Sequence, residues 1–127
     1  MKSILEYLST KAKNLKPYNS EESDPDDPMT WKTDDILCGS WSYTMTLPRW
    51  YRIVKRTDKM FTLQRLEGKL VSGHHNGQWE EIASDETYYN EKPIRVKLNK
   101  RGYLVVDGRI ILRLWDGKTP LQGDDMD

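Results

Sequence analysis

The chain has 127 residues, and its twenty Lys and Arg residues balance its twenty Asp and Glu residues. This length gives room for one domain, and a charged fraction of 31% suits a soluble protein. No apolar run is long enough to cross a bilayer, and the first residues lack the apolar core of a signal peptide. A single cysteine, Cys38, excludes an internal disulfide framework and fits a reducing cytosol.

The charges lie in blocks along the chain. The net charge is +3 over residues 1–19, −6 over 20–35, +5 over 36–70, −5 over 71–91, +6 over 92–118 and −3 over 119–127. The basic blocks coincide with the best strand candidates, whereas acids collect in loops and ends. Such segregation creates a local field even at zero total charge. The alternative is that basic strand faces and acidic loops neutralise one another within the fold.

The N-terminal region divides into a helical and a linker-like segment. Apolar residues at helical spacing predict an amphipathic helix over 1–15, with Ser3 and Glu6 in the form of a capping box. Such a helix is marginal alone, so it must dock on the domain or on a partner. Residues 16–30 combine three prolines with acidic residues, which predicts an extended or disordered linker.

From Trp31 onward the pattern changes to the alternation of β-strands. Residues 49–56 and 60–66 predict two strands joined by a tight turn at 57–59, with further turns at Glu67-Gly68 and Asn76-Gly77. Residues 94–98, 103–106 and 110–114 predict a three-stranded meander whose last hairpin turns at Asp107-Gly108.

We therefore expect a mostly β fold of about six or seven short strands. A small closed or partly open antiparallel barrel, SH3-like or OB-like, suits a short chain because closure removes free edges. The predicted units are the helix (1–15), the linker (16–30), the barrel-like domain (31–121) and an acidic tail (122–127).

Strand 49–56 and its neighbour carry the first candidate binding residues. Strict alternation leaves neither face of 49–54 purely apolar, so one of Trp50 and Tyr51 is predicted to be outside. If these aromatics share an open face with nearby cations, they can stack bases or anchor a protein interface. The candidates are Trp41, Tyr43, Arg49, Trp50, Tyr51 and Arg52.

A basic strip is the second candidate. Alternation places four cations on one side of the terminal meander, where they can bind phosphate or an acidic protein patch. A solvated sheet face is the plainer interpretation. The four are Arg95, Lys97, Arg109 and Arg113.

No pattern of catalytic or metal-binding residues is apparent, and we expect no catalytic residue, no cofactor and no metal. His74 and His75 are adjacent, and strand neighbours point to opposite faces, so an exposed turn is the preferred interpretation. Glu80-Glu81 and the other acidic pairs are assigned to polar loops or tails, without the apolar pocket that acid–base chemistry needs. Cys38 lies in an apolar run and is interpreted as a core residue.

Two motifs resemble a family of small uncharacterised proteins of bacteriophages and bacterial mobile elements. The first is Trp41-x-Tyr43, followed by Trp50-Tyr51 leading into Val54-Lys55, and the second is Trp115-Asp116-Gly117-Lys118. The chain departs from the family in its long N-terminal arm and in Thr119 before Pro120. The resemblance implies a phage or mobile-element origin and a bacterial cytoplasm, but no established activity. On physical grounds, Asp116-Gly117 after Trp115 also forms an ordinary turn whose indole plugs one end of the barrel.

The sequence favours a binding module over an enzyme. The first hypothesis is a non-catalytic protein that binds a host or competing-element protein, such as an anti-CRISPR-like inhibitor of a bacterial defence system. The alternative is a nucleic-acid-binding barrel that uses the same aromatic and basic residues. No membrane is expected as a partner, and the oligomeric state is left open.

Overall fold

A computed structural model describes residues 23–42 and 45–125 of the chain. The predicted N-terminal helix lies outside the described residues. The described part is mostly β, which confirms the predicted class, and its one helix is a single 3₁₀ turn, Pro28–Thr30. Its eight strands are β1 (Ile36–Ser42), β2 (Thr46–Arg56), β3 (Met60–Gly73), β4 (Gln78–Thr87), β5 (Ile94–Lys97), β6 (Leu104–Val106), β7 (Ile110–Leu114) and β8 (Leu121–Asp124).

The strands form one antiparallel sheet in the order β5-β3-β4-β8-β2-β1-β7-β6, with β3 also paired to β2. The extra pairing closes β2, β3, β4 and β8 into a four-stranded ring, which confirms a small antiparallel barrel. Strand β8 joins the ring through its ladder with β4 and through the pair Thr46–Asp124 with β2. Ring closure removes free edges from these four strands.

The central strands alternate between two cores. On one face, Leu37 of β1 pairs with Tyr51 of β2, and Ile53 of β2 pairs with Leu63 of β3. Strands β6 and β7 complete this main core with short apolar side chains. The buried members are Trp31, Leu37, Tyr51, Ile53, Phe61, Leu63, Leu104, Val106, Ile110 and Leu112.

A second, smaller core lies on the opposite face of the same strands, inside the ring. Cys38 pairs with Trp50, and Trp50 pairs with Leu66, so these buried side chains form one row across β1, β2 and β3. The row is covered by the half-buried Ile36, Ala83, Trp115 and Leu121. Strands β1 to β3 are therefore buried on both faces.

The predicted turn at Glu67-Gly68 is wrong, because β3 continues through it. Strand β3 pairs with β2 and β5 over its first half and with β4 over its second half. The ladder shifts register between Leu66 and Gly68, so the glycine lies at an irregularity within the strand. The turn predicted at Asn76-Gly77 is confirmed and joins β3 to β4.

The segment before β1 is folded, in contrast to the predicted linker. Within 16–30, residues 23–30 form a turn and the 3₁₀ helix, which Asp27 caps by accepting from Met29 N–H. Trp31 is buried in the main core, and its indole N–H donates to the Asp24 carbonyl at 2.8 Å. Residues 16–22 lie outside the described residues.

The terminal strands follow the predicted alternation but not the predicted meander. Asp107 and Gly108 both take positive φ (54° and 74°) at the centre of a β-turn that Arg109 N–H closes on the Val106 carbonyl, within the three-residue connection between β6 and β7. Strand β5, however, pairs with β3 instead of β6. Residues 122–124 lie in β8, so this part of the predicted tail belongs to the sheet.

Ring closure makes Gly123 a sensitive position. A Cβ atom at Gly123 would overlap the Trp79 indole, whereas a Cβ at Gly77 would find its nearest neighbour at 3.9 Å. We expect Gly123→Ala to lower the free energy of unfolding by about 1–3 kcal/mol, the usual cost of overpacking. Gly77→Ala, the control, should leave it nearly unchanged. Urea denaturation of both variants checks this, and equal midpoints would contradict the packing described.

Candidate functional site

The predicted aromatic pair of β2 is not a surface feature. Trp50 is 1% exposed in the second core, and Tyr51 is 3% exposed in the main core. The prediction that one of them lies outside is wrong, because β2 has a core on each face. Neither ring is accessible for stacking on a base.

The two arginines that flank this pair are engaged within the chain. Arg49 Nη1 lies 3.1 Å from Asp107 Oδ2, and Arg52 Nη1 lies 3.0 Å from Asp34 Oδ1. Asp34 lies just before β1, and Asp107 lies in the turn between β6 and β7. Acidic loops therefore neutralise basic strand residues here, as one of the two interpretations of the charge blocks expects.

Trp41 is half-buried against the main core, and the Arg109 guanidinium lies 5.8 Å from its ring centroid. Trp41 and Arg109 thus come together although 68 residues of sequence separate them. Tyr43, another candidate, lies outside the described residues.

The predicted basic strip is divided between two strands that lie far apart in the sheet order. Arg95 and Lys97 lie on β5 beside β3, whereas Arg113 lies on β7 beside β1 and Arg109 precedes it. All four side chains are exposed, as predicted. They do not form one strip, because β5 does not pair with β6.

The outer surface of the β6–β7 hairpin instead combines Arg113 with exposed apolar groups. Tyr103 is 46% exposed and Ile111 is 55% exposed, and both line one groove with Arg113. We call Tyr103, Ile111 and Arg113 the hairpin face. The groove measures about 420 Å³, and its opposite wall is the folded segment from Pro25 to Trp31.

A buried carboxylate is the candidate functional feature that the sequence analysis missed. Glu81 lies on β4 in the ring, where it is 8% exposed, so its assignment to a polar loop is wrong. Its Oε2 accepts the Trp50 indole N–H at 2.6 Å, and its Oε1 accepts the Trp79 indole N–H at 2.8 Å. One carboxylate thereby satisfies two buried indole donors.

Two glycines make room for this arrangement. A Cβ at Gly68 would overlap the Glu81 carboxyl group, and one at Gly123 would overlap the Trp79 indole. The spacing Trp79-x-Glu81 on a strand places both side chains on one face. That spacing was the available signal, but only the tertiary pairing brings Trp50 to the same carboxylate.

Above Glu81 a cleft of about 430 Å³ opens between β2 and β3. The β2–β3 ladder ends at Trp50–Leu66, and β2 next pairs with β8 at Thr46. The two strands separate in this gap and leave the cleft between them. Its polar and aromatic lining comprises Arg49, Trp50, Arg65, Glu67, His75, Trp79, Glu81 and Tyr88.

The two arginines of the cleft have partners of their own. Arg49 pairs with Asp107, while Arg65 Nη1 lies 3.6 Å from Glu91 Oε2. The Arg65 guanidinium also stacks 3.6 Å from the Tyr88 ring centroid, and its Nε is buried without a hydrogen-bond partner. His75 contacts the Trp79 ring edge to face at 5.0 Å.

The Trp115-Asp116-Gly117-Lys118 motif forms the predicted turn. Asp116 Oδ1 accepts the backbone N–H groups of Lys118 and Thr119, and the Trp115 indole N–H donates to the Thr119 carbonyl at 2.7 Å. The Thr119 hydroxyl and these backbone donors lower the pKa of Asp116 to about 2. The Trp115 ring packs against Trp50 with centroids 5.1 Å apart, so the turn covers the second core.

Across residues 23–42 and 45–125, no group of three His, Cys, Asp or Glu side chains could hold a metal ion. His74 and His75 are exposed near the β3–β4 turn. Within the same residues, no helix has the length and apolar character that a bilayer crossing needs.

The comparisons with known proteins give no relative. The sequence matches no protein-family model and no curated protein, and the fold matches no solved structure. The resemblance to phage proteins therefore stays a prediction.

The hydrogen bonds to Glu81 should contribute measurably to the free energy of unfolding. Trp50 and Trp31 are equally buried, but the first donates to a carboxylate and the second to a backbone carbonyl. Hydrogen bonds to charged groups contribute more than neutral ones. We expect Trp50→Phe to lower the free energy of unfolding by about 1 kcal/mol more than Trp31→Phe does, as measured by urea denaturation. A smaller loss of unfolding free energy for Trp50→Phe than for Trp31→Phe would show that Glu81 does not depend on this donor.

Cys38 gives a second prediction. Burial, opposed by Arg113 and assisted by Asp116, raises the pKa of the Cys38 thiol from 9.0 to about 11. Because thiolate is the reactive form, ionisation alone should slow alkylation at pH 8 by about a hundredfold relative to the unfolded chain. Iodoacetamide labelling with and without urea measures the ratio. Comparable rates in both conditions would mean that the thiol is not buried in solution.

Proposed function

We propose that the chain is a non-catalytic protein-binding module whose contact surface is the hairpin face. The observation that carries this proposal is the grouping of Tyr103, Ile111 and Arg113 around one groove. Tyr and Arg are among the residue types that dominate binding energy at protein interfaces. A partner that presents an apolar side chain to the groove and an acid to Arg113 would match this chemistry.

The backbone at this surface also suits a protein partner. Strand β6 stands at one end of the sheet order, with β7 on one side and no ladder on the other among the described residues. We propose this outer edge as the place where a partner strand could add. Strand addition at such an edge is a common mode of peptide recognition.

The nucleic-acid alternative has less support. It needs stacking rings beside free cations, but Trp50 and Tyr51 are buried and Arg49 and Arg52 are ion-paired. The exposed cations Arg95 and Lys97 lie on β5, whose neighbouring strand presents no exposed aromatic ring beside them. A sequence-tolerant stacking platform requires both elements together.

The phage or mobile-element resemblance gives the target class. A host or competing-element protein in the bacterial cytoplasm, in the manner of an anti-CRISPR-like inhibitor, fits a small binding module. This part of the proposal depends on the two sequence motifs alone.

The test is affinity capture from bacterial lysate with the tagged full chain, with and without nuclease. We expect one stoichiometric protein that survives nuclease and is lost with Ile111→Glu. Val71→Glu is the matched control, because Val71 is 51% exposed and lies on β3, away from the hairpin face. Circular dichroism establishes that both variants keep the β fold.

The proposal is supported if Ile111→Glu reduces capture at least about tenfold, or about 1.4 kcal/mol, while Val71→Glu retains capture. Equal capture by both variants would place the contact elsewhere. Loss of all captured material on nuclease treatment would favour nucleic-acid binding.

A further inference from the structure

We infer that the cleft above Glu81 binds an organic cation that donates hydrogen bonds, namely a primary ammonium or guanidinium group such as a Lys or Arg side chain. This inference does not rest on the hairpin face or on the proposed function. It rests on the placement of Glu81, its two indole partners and the opening between β2 and β3.

Glu81 has no counterion among the residues that the structure describes. Buried charges in proteins are normally paired or coordinate a metal. The hydrogen-bond donors to Glu81 are two neutral indoles, and no Lys, Arg or His of residues 23–42 and 45–125 forms an ion pair with it. The two arginines of the cleft already pair with Asp107 and Glu91.

The Glu81 carboxylate can accept further hydrogen bonds. Two oxygens offer about four acceptor positions, and the indoles occupy one on each oxygen. Glu81 also lines the cleft, so a ligand can reach it from solvent. A cation with N–H groups would complete the hydrogen bonding of the carboxylate and supply its opposite charge in one contact.

The walls of the cleft are aromatic and acidic near Glu81. Trp50 and Trp79 meet at the carboxylate, and His75 extends the aromatic wall at the Trp79 edge. Aromatic rings favour cations over neutral groups of the same shape. Glu67 adds a second carboxylate to the lining. A volume of about 430 Å³ falls in the range of small-molecule and side-chain pockets.

The indole N–H groups themselves provide the test. Each tryptophan indole gives a separate ¹H–¹⁵N resonance, and the Trp50 and Trp79 protons point at Glu81. The Trp31 and Trp115 protons donate to backbone carbonyls elsewhere and serve as internal controls. The full chain is titrated at constant ionic strength with N-acetyl-lysine methylamide, N-acetyl-arginine methylamide, neutral N-acetyl-norleucine methylamide and tetramethylammonium.

We expect saturable shifts of the Trp50 and Trp79 resonances with the lysine or arginine probe, at least about tenfold tighter than with norleucine. Preference for the lysine or the arginine probe identifies the group that fits. Tetramethylammonium should bind more weakly, because it has no N–H to donate. Equal response to norleucine, or shifts confined to Trp31 and Trp115, would overturn the inference.

A charge-removing variant separates the carboxylate from its surroundings. Glu81→Gln should abolish the saturable shift, whereas Glu80→Gln, on the neighbouring position of β4, should retain it. Unchanged cation binding by folded Glu81→Gln would also overturn the inference. If Glu81→Gln does not fold, the comparison of lysine with norleucine on the natural chain still decides.

Discussion

The sharing of β1, β2 and β3 between two cores is the constraint on which the rest of the structure depends. A strand that is buried on one face alternates apolar and polar residues, but these strands have apolar contacts on both faces. Within β2, Trp50 faces the ring and Tyr51 faces the main core. A short chain thus obtains two cores from one set of central strands.

The ring is held in register by large side chains meeting small ones. Each of its four strands contributes at the Glu81 centre: Trp50 from β2, Gly68 from β3, Trp79 with Glu81 from β4, and Gly123 from β8. Indoles bring bulk and one donor each, and a buried donor needs an acceptor. A single carboxylate serves both indoles, and the two glycines give it and Trp79 the necessary space.

Local features of the fold could be predicted from the sequence, and long-range ones could not. The Asp107-Gly108 hairpin and the alternation of 110–114 depend on neighbouring residues, and both are present as predicted. The partner of β5 and the course of β3 through Gly68 depend on pairings distant in sequence, which no local pattern specifies. Among the candidate site residues, exposure was predicted correctly for Arg95, Lys97, Arg109 and Arg113.

Burial explains the errors at the site. Trp50 and Glu81 each have polar neighbours in sequence. Alternation therefore left the face of Trp50 ambiguous, and the polar neighbours of Glu81 led to its assignment to a loop. Trp50 is buried because the β3–β4 hairpin and β8 cover the ring-facing side of β2, and Glu81 is buried on β4 within the same ring. The aromatic and basic residues of β2 are committed to packing and ion pairs, so the two binding sites that we propose lie elsewhere. Both are at places where strand pairing ends, namely the outer edge of β6 and the gap between β2 and β3.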